Sequence, residues 1–219
     1  MEYNRINYHG VDIHTIKTNQ FKKCVCYVVF VDEAKKENMT KNALLGSLLG
    51  DSTKKYPIFS QYNAALEDLY GSKVNIDARV KGNLEFYYFK ITFLNPKYSE
   101  KDQLEKNINF LFDTIYDPNI KNGKFNQTIF DYSKNFQANT IKSAFQQRTY
   151  YAVQQMYNIL NDKMPDSFSA DGYIADLEKL TSKNMVEYYH QFLNKSMHVF
   201  LPVTQMLPKQ SNISRKDYR

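Results

Sequence analysis

The sequence has little cysteine, and its two cysteines exclude a disulfide framework. Cys24 and Cys26 stand two positions apart in an apolar segment. Alternate residues of a strand point to the same face, but their side chains are badly aligned for bonding to each other. Two cysteines also cannot complete a tetrahedral zinc site. We therefore expect two small buried side chains in a protein of a reducing compartment.

Long apolar runs are missing as well. The longest purely apolar run, residues 24–31, is far too short to span a bilayer, and the first ten residues lack the apolar stretch of a signal peptide. A length of 219 residues with 42% hydrophobic content suits one well-packed domain. The sequence therefore predicts a cytoplasmic location and no membrane partner.

Arginine is also scarce, although the chain is basic. The formal net charge is +6, and it comes almost wholly from lysines that are spread along the chain. Arginine is the side chain preferred for bidentate phosphate recognition, and no basic cluster alternates with exposed aromatic residues. These features predict no nucleic-acid partner.

Residues 41–71 carry the pattern around which the rest of the chain is organised. Two apolar stripes at helical spacing predict two consecutive helices, with Thr40 as the N-cap of the first. Between the stripes lies Ser-Thr-Lys-Lys-Tyr-Pro, and Gly71 stands where a helix C-terminus favours a residue tolerant of positive φ. The stripes consist of Leu44, Leu45, Leu48 and Leu49, and of Tyr62, Ala65, Leu66, Leu69 and Tyr70.

This order of elements resembles the start of a pitrilysin/insulinase-type metallopeptidase domain. The resemblance implies that active members carry His-x-x-Glu-His on the first helix, where two histidines hold zinc and the glutamate acts as general base. Those positions fall on Ala43, Gly46 and Ser47 here, and none of these side chains can hold a metal. Over residues 10–201 the chain therefore resembles the subgroup that lacks the motif, which is known in low-GC Gram-positive bacteria.

Periodicity along the remaining chain gives the fold class. Alternation predicts strands at residues 11–18 and 21–31, paired as one hairpin, and at residues 74–80 and 84–94, paired as another. Helical spacing predicts helices from about residue 104 to 117, 127 to 148 and 150 to 161, a last helix capped by Thr181, and a closing strand at 196–201. This order predicts an α+β domain with a mainly antiparallel sheet and helices packed on one side. The resemblance implies the same fold, and implies that it is the first of two tandem domains.

Three details of this assignment can be checked against a structure. The helix at residues 150–161 should bury the side chains at core spacing, which are Val153, Met156, Tyr157 and Leu160. His14 lies on the first predicted strand opposite no identifiable partner. His190 should be a surface residue at the end of the last helix, where the helix dipole favours it.

The long predicted helix lacks the acidic residues that the family resemblance implies for active members. Active members are expected to take a glutamate zinc ligand from this helix, but residues 132–161 contain no Asp or Glu. The polar side chains there are typical of a solvated face, with hydrogen bonding to a peptide as the alternative. They are Asn135, Gln137, Asn139, Thr140 and Ser143.

The resemblance stops at residue 201, so we assign residues 1–201 to the domain and residues 202–219 to an unstructured tail. The tail has two prolines and no helical stripe. The resemblance implies that Gly-Asp should follow this strand. Some codons that encode the tail would also encode Gly-Asp at this point if they were read in a shifted frame. We therefore expect the tail to be out of frame and to pack against nothing, which sequencing of the gene would test.

The sequence offers no candidate catalytic, cofactor-binding or metal-ligating residue. It has no Gly-rich phosphate loop and no Gly-x-Ser-x-Gly motif. The predicted function is a non-catalytic peptidase-like subunit that binds peptides or pairs with a zinc-bearing homologue; the alternatives are the truncated product of a disrupted gene and a peptidase with relocated catalytic groups. The expected partner is a catalytic homologue or a missing second domain, whose absence should expose apolar surface and promote self-association.

Overall fold

The computed structural model describes residues 2–18, 20–100, 102–161 and 164–203. Its centre is a six-stranded sheet. The strands of this sheet are β1 (Glu2–Tyr8), β2 (Val11–Lys17), β3 (Lys23–Glu33), β4 (Lys73–Lys81), β5 (Leu84–Leu94) and β8 (Ser196–Val203). Their order is β1-β2-β8-β3-β5-β4, and all neighbouring pairs are antiparallel except β2 with β8. The predicted mainly antiparallel sheet is therefore confirmed.

Helices cover the face of the sheet that carries the alternate buried residues of β3 and β5. Cys26 and Phe89 on this face are fully buried with leucines of the first helix and Phe192 of the last. Within the described part of the chain, no helix is long and apolar enough to cross a membrane. The helices are α1 (Lys36–Gly50), α2 (Phe59–Asp68), α3 (Gln103–Tyr116), α4 (Gln127–Ser143), α5 (Arg148–Asn161), α6 (Ile174–Glu178) and α7 (Asn184–Phe192), and a small hairpin of β6 (Ile120–Lys121) and β7 (Lys124–Phe125) precedes α4.

Several local predictions are confirmed. The β4–β5 hairpin turns through two residues, with Gly82 at φ +60°, as a tight hairpin requires. Gly71 follows α2 at φ +67°. The Thr181 hydroxyl accepts from the Asn184 backbone N–H, and the Asn184 side chain accepts from the Thr181 N–H, so the two residues cap α7 reciprocally. Both cysteines are buried and free, and His190 is exposed in the last turn of α7.

The predicted first hairpin is wrong, because β8 lies between β2 and β3. β2 pairs instead with β1, which periodicity did not identify, through a turn in which His9 and Gly10 both have positive φ. β8 runs parallel to β2 and antiparallel to β3. A sheet position filled by a strand from the far end of the chain leaves no local signal, so adjacency in sequence suggested the wrong pair.

Two helix boundaries also differ from the prediction. α1 begins at Lys36, so Thr40 is not its N-cap; it is buried inside the helix, where its hydroxyl accepts from the Tyr173 N–H at 3.0 Å. α4 ends at Ser143, and Arg148 begins α5 after a short 3₁₀ turn at Ala144–Gln146.

The predicted burial of the α5 stripe is wrong. The helix forms as expected, but none of its residues is buried. Val153 and Met156 are about half exposed, and Leu160 is 69% exposed. The stripe has helical spacing because the helix is amphipathic, but most of its apolar side chains face solvent.

The closing strand continues beyond the predicted domain boundary. Pro202 and Val203 belong to β8, where Pro202 is paired with Ile16 and Val203 with Lys17 of β2. The expectation that the chain packs against nothing from residue 202 onward is therefore wrong for these two residues. The remaining predicted tail, residues 204–219, lies outside the described residues.

Candidate functional site

A cleft of about 340 Å³ lies between α1, α4 and β4. Its α1 wall consists of the small residues Ala43, Gly46, Ser47 and Gly50. Each of these residues lies three or four positions from two of the others, and Ala43 and Gly50 at the ends of the row are seven apart, so all four share one face of the helix. The opposite face carries the leucines that are buried in the core. The cleft exists because α1 presents large side chains to the core and small ones to this side.

The wall formed by α4 contains two of the polar residues that the sequence analysis singled out. Gln137 and Thr140 line the cleft together with Phe136. The Gln137 amide nitrogen donates to the Thr40 carbonyl at 3.1 Å and to the Asp171 carbonyl at 2.8 Å. Asn135 and Asn139 are exposed and do not line the cleft. The predicted solvated face is therefore correct for them and wrong for Gln137, which is 6% exposed.

Two carboxyl groups that sequence reasoning missed also line the cleft. Asp51 follows the last residue of α1, and Asp171 lies in the loop before α6. Burial raises the pKa of both carboxyl groups above the ordinary value. Neither residue belongs to a motif, so only the folded chain brings them to one cleft.

A glycine fixes the loop that carries Asp171. Gly172 has φ +83°, and a Cβ atom built on it would lie 2.5 Å from the Thr40 Cα. The chain can approach α1 this closely only without a side chain at this position. The contact explains why a glycine follows Asp171, and it holds Asp171 beside the first half of α1.

Comparisons with known proteins show which proteins this chain is similar to. No family model matches the chain. It is 25% identical over 189 residues to the probable inactive metalloprotease YmfF of Bacillus subtilis (strain 168), covering 85% of this chain and 44% of that protein. A conserved protein from Enterococcus faecalis V583 superposes with a TM-score of 0.83 at 25% identity, covering 91% of this chain and 48% of that one. The crystal structure of pitrilysin superposes with a TM-score of 0.69 at 16% identity, covering 95% of this chain and 22% of that one.

The chain has the fold of pitrilysin-type peptidase domains and is similar in sequence to a protein named a probable inactive metalloprotease. It spans less than half the length of the relatives that it matches. The resemblance drawn from residues 41–71 is therefore confirmed. Among these relatives, YmfF is itself named a probable inactive metalloprotease.

The residues of this metallopeptidase-like domain do not fit the zinc ion of its active relatives. Ala43, Gly46 and Ser47 provide no imidazole, thiolate or carboxylate, which are the groups that bind zinc. A Cβ atom at Gly46 would lie 2.9 Å from the Tyr87 hydroxyl oxygen and 3.4 Å from a methyl group of Ile76. Among the residues that the structure describes, no group of three or more His, Cys, Asp or Glu could hold a metal ion. A side chain at Gly46, where the resemblance implies the general base of active members, would thus meet the Tyr87 hydroxyl.

Tyr87 belongs to a buried polar network that fixes α1 of the metallopeptidase-like domain. Its hydroxyl donates to the Asn42 carbonyl at 3.0 Å. The Asn42 side chain donates to Glu85 at 2.6 Å and accepts from the Tyr188 hydroxyl at 2.6 Å. Burial raises the pKa of Glu85, and the Lys195 ammonium 3.9 Å away opposes that shift. The network joins the β4–β5 hairpin and α7 to the residue that precedes Ala43, so the cleft wall is held rigidly.

A second polar cluster lies on the open face of the sheet, and it corrects the expectation that His14 has no partner. The His14 ring is hydrogen-bonded to the Tyr3 hydroxyl at 2.8 Å and to His198 at 3.3 Å. Asp12, beside it on β2, forms an ion pair with Arg5 at 2.8 Å. The Arg5 hydrogen bond lowers the pKa of Asp12 to about 2. Sequence reasoning missed the cluster because two of its members lie on β1 and another on β8.

Proposed function

We propose that this metallopeptidase-like domain is a non-catalytic subunit that binds extended peptides in the cleft beside α1 and assembles with a zinc-bearing homologue, which performs the hydrolysis. The cleft carries the proposal. It occupies the position where active relatives are expected to hold zinc, but its α1 wall is made of small side chains without ligand atoms. A groove of this kind can accept a peptide and cannot activate water through a metal.

The strand beside the cleft supports the choice of peptide as ligand. Val74, Asn75 and Ile76 of β4 line the cleft, and β4 is the last strand at one edge of the sheet. An edge strand offers unpaired backbone N–H and C=O groups along its outer side. An extended peptide can add to such an edge as a further strand, while its alternate side chains enter the adjacent groove.

The surface of α5 supports the proposed assembly. Ile159 is 84% exposed and Leu160 is 69% exposed on a helix without buried residues. Contiguous apolar side chains on a helix face are typical of a contact with another domain or subunit. We expect a zinc-bearing homologue from the same organism to co-elute with the purified chain in size-exclusion chromatography. Separate elution at all concentrations would contradict the assembly.

The absence of catalysis is tested by metal content and hydrolysis. We expect the purified chain, incubated with zinc and desalted, to retain far less than one equivalent by mass spectrometry of the metal, and to cleave no peptide of a random library. Stoichiometric zinc together with peptide cleavage would contradict the proposal. A zinc-bearing homologue treated in the same way serves as the positive control.

Peptide binding is tested by filling the cleft. Ser47→Phe places a bulky ring on the α1 wall, so we expect it to abolish binding of fluorescent library peptides in an anisotropy assay. Ala64→Phe is the matched control, because Ala64 is exposed on α2 and outside the cleft. Binding that survives Ser47→Phe in a folded variant would place the peptide elsewhere.

Addition of the peptide to β4 has its own signature. Methylation of a peptide N–H removes a ladder hydrogen bond without changing the side chains. We expect methylation at every second position to weaken binding strongly in one register and only slightly in the other, because strand groups point to the partner alternately. Equal effects in both registers would rule out strand addition.

A further inference from the structure

The charges along the cleft have one sign, although the chain has a net charge of +6. Of the described residues that line it, the charged ones are Asp51 and Asp171. Neither carboxylate takes part in an ion pair described in the structure, and burial is the cause of the raised pKa in both cases. Two partly buried carboxylates without a cation are costly, and a cationic ligand would offset that cost.

An independent feature of the cleft also calls for a hydrogen-bond donor. Gln137 is 6% exposed, and its amide nitrogen is turned toward the carbonyl oxygens of Thr40 and Asp171. Its amide oxygen therefore remains as the free acceptor, and it accepts no hydrogen bond from the described residues. A buried acceptor without a donor costs free energy in the unliganded protein. Ammonium and guanidinium groups are pure donors, and they match an amide oxygen as well as a carboxylate.

Asp171 and Asp51 lie toward opposite ends of the α1 wall. The backbone carbonyl of Asp171 is tied through Gln137 to the Thr40 carbonyl, and Asp51 follows Thr40 eleven residues later along the chain. Eleven residues of α-helix span about 16 Å. Four residues of an extended peptide advance about 13 Å and return to the same face of the strand. Long lysine or arginine side chains at such a spacing can reach both carboxylates.

We propose that the cleft selects peptide segments bearing lysine or arginine, with one basic side chain directed to Asp51 and another to Asp171. This inference rests on the proposed peptide-binding function and specifies its ligand class. The apolar side chains of Val74, Ile76 and Phe136 receive the aliphatic stems, since lysine and arginine bury their methylene groups along apolar surface. The net positive charge of the chain works against basic ligands in general, so recognition depends on these two local carboxylates.

The test compares three nine-residue peptides by fluorescence anisotropy with the full chain. They share an alanine- and threonine-based sequence and carry lysine, norleucine or glutamate at positions 3 and 7. We expect the lysine peptide to bind at least tenfold more tightly than the norleucine peptide, and its affinity to fall with added salt. Equal affinity of the lysine and norleucine peptides would overturn the charge preference while leaving peptide binding intact. Failure of all three peptides, and of a random library, would overturn the proposed function itself.

Isosteric variants assign the preference to the two residues. Asp51→Asn and Asp171→Asn should each weaken the lysine peptide about fivefold, as loss of a partly exposed ion pair does, and should leave the norleucine peptide unchanged. Asp68→Asn is the control, because Asp68 is exposed on α2 and outside the cleft. Unchanged lysine binding in both cleft variants would overturn the inference. Titration with calcium alone tests whether the two carboxylates bind a metal ion instead of basic side chains. Tight calcium binding that Asp51→Asn abolishes would assign the carboxylates to a metal and would also overturn the inference.

Discussion

At the scale of single residues, the cleft depends on the absence of large side chains from one face of α1. Gly46 costs helix stability, because glycine is about 1 kcal/mol less favourable than alanine in a helix interior. Its lack of a side chain admits the Tyr87 hydroxyl, which then bonds to the Asn42 carbonyl one turn earlier. Loss of the zinc motif and closure over the position of the general base are therefore two aspects of the same packing.

This packing predicts that a substitution which normally stabilises a helix will destabilise this protein. Gly46→Ala should lower the free energy of unfolding by about 1–2 kcal/mol, because overpacking outweighs the gain in helix propensity. In a Tyr87→Phe background the same substitution should be neutral or stabilising, since the hydroxyl is the atom that clashes. A double-mutant cycle by urea denaturation measures the coupling. Equal effects in the two backgrounds would show that Tyr87 is not the obstacle.

His14 predicts a dependence of stability on pH. Burial, together with the charges of His198 and Arg5, lowers the pKa of His14, while Asp12 raises it. The unfolded chain therefore binds the proton more readily, so the contribution of His14 is complete above the unfolded pKa and is lost as pH falls through the folded value. We expect the free energy of unfolding to fall from pH 7 toward pH 5, and His14→Gln to flatten the slope. The control His190→Gln, at an exposed site, should leave the slope of unfolding free energy against pH unchanged. An unchanged slope in His14→Gln would show that His14 is not its cause.

At the scale of elements, α5 shows that periodicity predicts a helix without predicting what covers it. The stripe at residues 153, 156 and 160 has core spacing, but these side chains are exposed by between 45% and 69%. They lie on a chain that spans less than half the length of its relatives. This agrees with the expectation of exposed apolar surface, and self-association itself remains a prediction.

Substitutions on the exposed face of α5 can test the predicted self-association. Replacing Ile159 and Leu160 by lysine should reduce self-association, measured by sedimentation velocity, and should leave the melting temperature unchanged because neither side chain is buried. Gln61→Lys with Ala64→Lys adds the same charge to exposed positions of α2 and should leave association as it is. A concentration-independent monomer in the unmodified chain would contradict the prediction.

At the scale of the whole molecule, β8 joins the two ends of the chain. It forms a parallel pair with β2 and an antiparallel pair with β3, so it is the only connection in the six-stranded sheet between the β1–β2 hairpin and the described strands β3, β5 and β4. Val199 of β8 is also buried in the core. The β1–β2 hairpin is therefore joined to the rest of the sheet through the strand that begins at Ser196.

Two truncations test this dependence. Removal of residues 196–219 should abolish cooperative thermal unfolding, because the hairpin loses its neighbour and β3 becomes an unpaired edge. Removal of residues 204–219 should leave the melting temperature within about 2 °C, because that segment has no apolar pattern with which to pack. A cooperative transition in the chain that ends at residue 195 would show that β8 is dispensable.

Features that depend on neighbours along the chain could be predicted from the sequence alone. Alternation specified the β4–β5 hairpin, reciprocal polar residues specified the cap at Thr181, and Gly71 marked the end of α2. The order of such local signals in residues 41–71 sufficed to reveal the resemblance to pitrilysin-type domains and the lack of metal-binding side chains at Ala43, Gly46 and Ser47. Local periodicity and turn chemistry act over a few residues, so they can be read without the fold.

Contacts between residues distant in sequence became visible in the folded chain alone. The fold placed β8 between β2 and β3, left the α5 stripe exposed, brought Asp51 and Asp171 to one cleft, and set Tyr87 above Gly46. Each of these outcomes depends on contacts between residues separated by tens of positions or more. Such contacts are selected by the packing of the whole core and by the hydrogen-bond needs of buried groups, and no window of the sequence contains both partners.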